Sequence, residues 1–186
     1  MKNRLLHDHY YALFILHYSL TMYIDFDKLP ETARVWVYQA NRALTDGDVK
    51  TIEETLRPAL NQWSAHGQPL LASAQVVENR FLVVGVDEGY TLPSGCSIDS
   101  SMRTVQEIGR QLGVDFFDRS AAAQMADGSV QTFALPVIKE AVANGQLTPA
   151  TTVFNTLVKT KAEFLSDWRI RATDSWLKRY FKSITA

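Results

Sequence analysis

Apolar positions along this chain switch between two periods, and each switch marks an element. Over 34–40, Val35, Val37 and Gln39 alternate with Trp36, Tyr38 and Ala40. The β-branched and aromatic content there predicts a strand covered on both faces. The period then becomes helical: Val49, Ile52, Leu56, Leu60 and Trp63 share one face. Thr45-Asp46-Gly47-Asp48 supplies a helix start, with an acidic residue three positions after a threonine and close to the positive end of the helix dipole. Pro58 is expected to distort this helix, and His66-Gly67 with Pro69 to end it. Residues 70–77 and 81–86 form two strand-like runs joined through Glu78-Asn79-Arg80, the spacing of a hairpin. The second run is almost continuously apolar, as a central strand is, and Gly85 inside it predicts close approach of another element. Ile98, Met102, Val105, Ile108 and Leu112 define a second helix face, stopped by Gly113. Residues 114–117 and 130–134 are shorter strand candidates. Residues 136–144 predict a short helix with proline in its first turn and Gly145 at its end.

The order over 34–117 is β-α-β-β-α-β. It predicts an α+β, ferredoxin-like fold: an antiparallel sheet with two helices on one face. Sheets of this kind often leave one face for a ligand or for a homodimer partner, an analogy drawn from the fold alone. Three regions are expected along the chain: an N-terminal extension over 1–21, an α+β core over 22–146, and a C-terminal extension over 147–186. Trp168, Trp176, Tyr180 and Phe181 are the apolar anchors expected to pin that extension back onto the core. Near the start, Lys2 and Arg4 precede an apolar run from Tyr10 to Leu20. His17 interrupts the run, no small-residue cleavage site follows, and the ~20 apolar residues of a spanning helix are not reached. Met22 opens a more regular segment, so the natural start is expected there. His7-Asp8-His9 has metal-ligating residue types without a fixed scaffold. No metal and no cofactor is therefore expected.

Composition narrows the function classes. In 186 residues, 46% are hydrophobic and 21% charged, which is ordinary for a globular chain. Lys+Arg number 19 against Asp+Glu 20, a net charge of −1. That balance gives no long-range field toward nucleic acid or an anionic membrane. The one cysteine, Cys96, excludes an internal disulfide and a cysteine-built zinc site, and it fits a cytoplasmic location.

Four strings carry a resemblance: 34–42 (RVWVYQANR), 66–70 (HGQPL), 94–99 (SGCSID) and 153–161 (VFNTLVKTK). Together they resemble a family of small bacterial proteins that bear the label "ABC transporter ATPase". The resemblance runs from about Met22 to near the C-terminus and implies no site residues. Chemistry speaks against ATP hydrolysis. A P-loop needs G-x-x-x-x-G-K-[ST], whose amides cradle phosphates while the lysine contacts them. The nearest stretch, 89–97 (GYTLPSGCS), has one residue too many between its glycines and Cys96 where lysine is required. The label is then compatible with an accessory subunit of a transporter.

The densest candidate chemistry lies at the start of the second helix. There Cys96 would sit where unpaired N–H groups and the dipole favour a thiolate. His66 and Asp87 could complete a thiol-nucleophile set with it. Gly95, Ser97, Asp99, Ser100 and Ser101 could instead hold a small anionic ligand at the same helix start. Against both stands ordinary duty: a lone cysteine is usually a small buried hydrophobe, and a serine-rich helix start is usually a cap. Trp36, Tyr38, Trp63 and Phe81 are core aromatics before they are a ligand surface. Arg169, Arg171, Lys178, Arg179 and Lys182 lie among aromatics in a pattern compatible with a binding tail, but solvated cations beside packed rings fit the neutral total better. The sequence thus favours a non-enzymatic cytoplasmic protein that binds a small anionic ligand or a protein partner, with no nucleic acid and no membrane insertion. A small thiol-dependent hydrolase or transferase is the alternative.

Overall fold

A computed structural model describes residues 21–181. The expected extension and His7-Asp8-His9 lie outside these residues, apart from Thr21, and so does Lys182. Strand β1 (Arg34–Gln39) leads through helix α1 (Asp46–Asn61) to a two-residue-stranded hairpin, β2 (Ser64–Ala65) and β3 (Gln68–Pro69). Strands β4 (Ala72–Val77) and β5 (Phe81–Val86) follow, then helix α2 (Gly95–Leu112). Thr45 caps α1 as the spacing predicts: its hydroxyl accepts from the Asp48 N–H, and the Asp48 carboxylate accepts from the Thr45 N–H. Arg42 pairs with Asp48 at 2.7 Å and donates to the Leu112 carbonyl at 2.9 Å, tying the start of α1 to the end of α2. Pro58 lies inside α1, which continues to Asn61.

His66-Gly67 does more than end a helix. Both residues have positive φ (52° and 78°) and form the two-residue tip of the β2–β3 hairpin. Strand β4 accordingly starts at Ala72 rather than Leu70. The β4–β5 turn forms as expected, with Glu78 and Asn79 at φ 54° and 44° and Arg80 N–H donating to Val77 O.

The protein is α+β, and the three sheets among the described residues are all antiparallel. The first has the order β1-β5-β4, with β5 central and fully buried. The expected fourth strand over 114–117 does not form, so the four-stranded ferredoxin-like sheet is not completed. A single parallel bridge between Gln39 and Phe117 stands in its place. The cause is local. Asp115 Oδ1 accepts from the Phe117 N–H and Asp118 Oδ1 from the Ser120 N–H, two side-chain turns that divert the backbone from a ladder.

The chain then builds a second sheet, β6 (Ala121–Gln124), β7 (Val130–Phe133), β8 (Thr152–Phe154) and β9 (Arg169–Arg171), in the order β7-β6-β8-β9. The boundary expected at 146 falls between β7 and β8 of this one sheet. Helices α3 (Ile138–Ala143), α4 (Lys161–Asp167) and α5 (Lys178–Phe181) complete the described chain. Three cores follow. Helices α1 and α2 bury Ile52, Leu56, Leu60, Val105 and Ile108 on one face of the first sheet. The other face, with Val35, Phe81 and Val83, is covered by Phe154, Phe164 and Trp168. A third cluster packs Ile138, Val142, Leu177 and Phe181 on the second sheet. Gly85 meets the close approach its position predicts: a Cβ there would stand 2.6 Å from Leu29 Cδ1. Among the described residues no helix is long and apolar enough to cross a membrane.

Candidate functional site

The residues singled out at the start of α2 are mostly engaged in holding the helix. Ser94 is the N-cap, and its hydroxyl accepts from the Ser97 N–H. The Ser97 hydroxyl accepts from the Ser94 N–H and donates to Ser94 O, while the Ser101 hydroxyl donates to Ile98 O. The Trp63 indole N–H donates to Ser97 O at 2.7 Å, anchoring this end to the core. Gly95, Cys96, Asp99 and Ser100 are exposed. A hollow of about 150 Å³ lies beside them, lined by Gln62, Trp63, Ser64, Ser100, Ser101 and Thr104, with Cys96 not among its walls.

Cys96 is a free, exposed thiol in the first turn of α2. His66 is exposed at the β2–β3 tip. Asp87 follows β5, where its Oδ1 accepts from the Gly89 N–H at 2.9 Å. Among the described residues no hydrogen bond joins any two of Cys96, His66 and Asp87. No group of three His, Cys, Asp or Glu side chains stands close enough to hold a metal ion there.

The outer edge of β1 is built differently. Trp36 pairs with Val84 and Tyr38 with Leu82 on β5. The antiparallel ladder alternates, so the N–H and C=O groups of Val35, Val37 and Gln39 face away from β5. At one end Val35 N–H donates to Lys159 O at 2.9 Å, and Lys161 N–H donates to Ala33 O at 2.8 Å. At the other end Asp118 N–H donates to Gln39 O at 3.2 Å. Between these anchors Val35 C=O, Val37 N–H and Val37 C=O have no partner among the described residues, while the Gln39 N–H faces Phe116 O in the parallel bridge to Phe117.

Space adjoins this free stretch on both sides. One hollow of about 500 Å³ reaches from Val37 and Gln39 to Leu135, Trp176 and Arg179. The other, of about 580 Å³, reaches from Arg34 and Trp36 to Met102, Lys159 and Thr160. Val37, Tyr38, Phe117, Thr156 and Leu157 line both, so the two form one groove along the edge. Leu157 is 66% and Phe117 38% exposed, large apolar surfaces left facing water at its centre.

Electrostatics divide the groove walls into spent and unspent charge. Arg34 pairs with Glu88 at 3.3 Å and stacks over the Trp36 ring. Burial disfavours the charge of Asp118, but Ser120, Gln39 and nearby Arg80 together outweigh it and hold its carboxyl below the ordinary range. Burial pushes the Tyr38 phenol up to about 12, with the Ser101 hydroxyl pulling the other way, so the ring is a neutral wall. Lys159, Arg119 and Arg179 enter no ion pair among the described residues.

Comparison with family models, with curated proteins and with solved structures finds no match. Sequence reasoning missed this groove. Its walls come from 116–120, 135, 156–160 and 176–179, segments whose proximity to β1 has no local signal.

Proposed function

We propose that this is a non-enzymatic binding protein whose ligand or partner docks in the groove along β1. The observation that supports it is the set of three backbone groups on Val35 and Val37 without a partner among the described residues, in a groove walled by Tyr38, Phe117 and Leu157. Both faces of the first sheet are already covered, one by α1 and α2 and the other by Phe154, Phe164 and Trp168. What the sheet still offers is its edges, and β1 is the edge that lies in a groove walled by Tyr38, Phe117 and Leu157. A completed ferredoxin-like sheet would have filled this edge with its fourth strand. In this reading the omission of that strand is the functional feature, and the accessory transporter role implied by the resemblance would be exercised through the same groove. The thiol-enzyme reading has less support, since Cys96 forms no hydrogen bond to a base among the described residues.

Selection of a random-peptide display library and a small-molecule fragment library on the immobilised full chain tests this. Binders should be lost on Leu157→Asp and on Val37→Pro. Proline at 37 removes only an outward N–H, which an edge position tolerates, and leaves the bonds of Trp36 and Tyr38 to β5. Binders indifferent to both substitutions place the site elsewhere and sink the proposal.

A further inference from the structure

Unpaired cations stand at both ends of the β1 groove: Lys159 beside the Arg34 end, Arg119 and Arg179 beside the Gln39 end. Apolar side chains occupy the centre. The free backbone groups run from Val35 to Val37, ~7 Å at the rise of an extended strand. From this arrangement we infer that the groove takes a short extended peptide, acidic at both ends and apolar in the middle, which adds to β1 as a strand. The inference rests on the reading of the groove as a binding site.

The backbone groups carry the mode of recognition. An unpaired strand edge is a template for main-chain hydrogen bonding, and side-chain pockets along it supply selectivity. Val37 offers one donor and one acceptor beside the Val35 acceptor, which is the pattern an extended segment of about three residues satisfies. The cations then select its ends. Each is exposed and in no ion pair among the described residues, so a carboxylate arriving there gains attraction without breaking one; Arg179 is held by the Tyr180 hydroxyl and the Trp176 ring. A second copy of this chain fits poorly. Its β1 has no carboxylate, and each end of that edge already holds bonded chain at Lys159 and Asp118, which keeps a rigid six-residue strand from reaching the centre. A free peptide bends out at both ends.

Fluorescence polarisation on the full chain tests this with a fluorescein-labelled heptapeptide, Asp-Glu-Val-Tyr-Val-Glu-Asp. The comparison probes carry lysine for every acid, or N-methyl groups on the central amides, and a labelled oligothymidylate serves as the nucleic-acid arm. The acidic peptide should bind at least about tenfold more tightly than the lysine version and weaken as salt rises. N-methylation and Val37→Pro should each abolish most of the binding. Arg119→Glu with Lys159→Glu should reverse the charge preference, a readout that stands even if the proline variant fails to fold. Peptides that bind regardless of charge yet need the Val37 N–H would overturn the acidic assignment and leave the groove as a binding site. Binding of the peptides insensitive to every groove substitution would overturn both readings. No peptide binding, or tighter binding of the oligothymidylate in competition at the groove, would overturn the inference alone.

Discussion

The Trp168 ring stands edge-on to Phe81, with ring centroids 4.8 Å apart and planes at 86°. This contact joins the central strand of the first sheet to a residue 87 positions later. Phe154 and Phe164 pack on the same indole at 5.3 and 5.0 Å. The C-terminal segment is therefore part of the core that covers β5.

Trp168→Ala should cost about 3–5 kcal/mol, the range for removing a large buried aromatic. Urea unfolding monitored by the remaining tryptophans measures it. A loss under about 1 kcal/mol would mean that the C-terminal segment packs only loosely on the first sheet.

Two glycines should respond differently to alanine. At Gly85 the added Cβ meets the Leu29 Cδ1 at 2.6 Å, the tip of a side chain that can turn aside. At Gly109 it meets the Val114 carbonyl oxygen at 2.5 Å, and Val114 N–H donates back to Gly109 O. Backbone cannot yield as a rotamer does. Gly109→Ala should therefore be the more damaging of the two, at about 1–3 kcal/mol or above, and calorimetric melting of both variants ranks them.

Stability should fall in acid through Asp48 and Asp118. The Arg42 guanidinium, followed by bonds from Thr45, holds the Asp48 carboxyl well below the usual carboxylate range, and Asp118 is lowered as well. A carboxylate lowered on folding stabilises fully above its unfolded value of ~3.9, and that contribution is lost as pH falls toward the folded value. Unfolding curves between pH 6 and 2 should slope less steeply for Asp48→Asn than for the parent. Parallel slopes would show that the Arg42–Asp48 pair contributes nothing to folding.

Cys96 should alkylate with iodoacetamide in the folded protein, because the thiol is exposed. His66→Ala should leave the pH profile of that reaction unchanged, since no hydrogen bond joins the two side chains. A profile displaced by the substitution would restore the thiol-enzyme reading.

Local chemistry was legible in the amino-acid order. Thr45 and Asp48 announce a capping box, Glu78-Asn79 a hairpin, Gly113 a left-handed helix stop at φ 61°, and Gly85 a crowded crossing. Each of these depends on residues within a few positions of one another or on the bulk of a single side chain. The second sheet was not legible as a sheet. Ala121-Ala122-Ala123 favours helix by propensity, and it becomes a strand only because β7 and Val153 of β8 pair with it. The start of α2 was rich in reactive side chains, but whether Cys96 meets His66 depends on how the start of α2 and the β2–β3 tip are placed, and the fold leaves the two side chains unbonded. The groove was hidden for the same reason. It exists because two aspartates turn the backbone at Phe117 and Ser120 before a fourth strand can form, and because the chain returns 39 residues after Ser120 to bond Lys159 to Val35. Spacing and periodicity record which face a residue prefers; which distant segment arrives to cover that face, and which edge stays open, is decided by packing across the whole molecule.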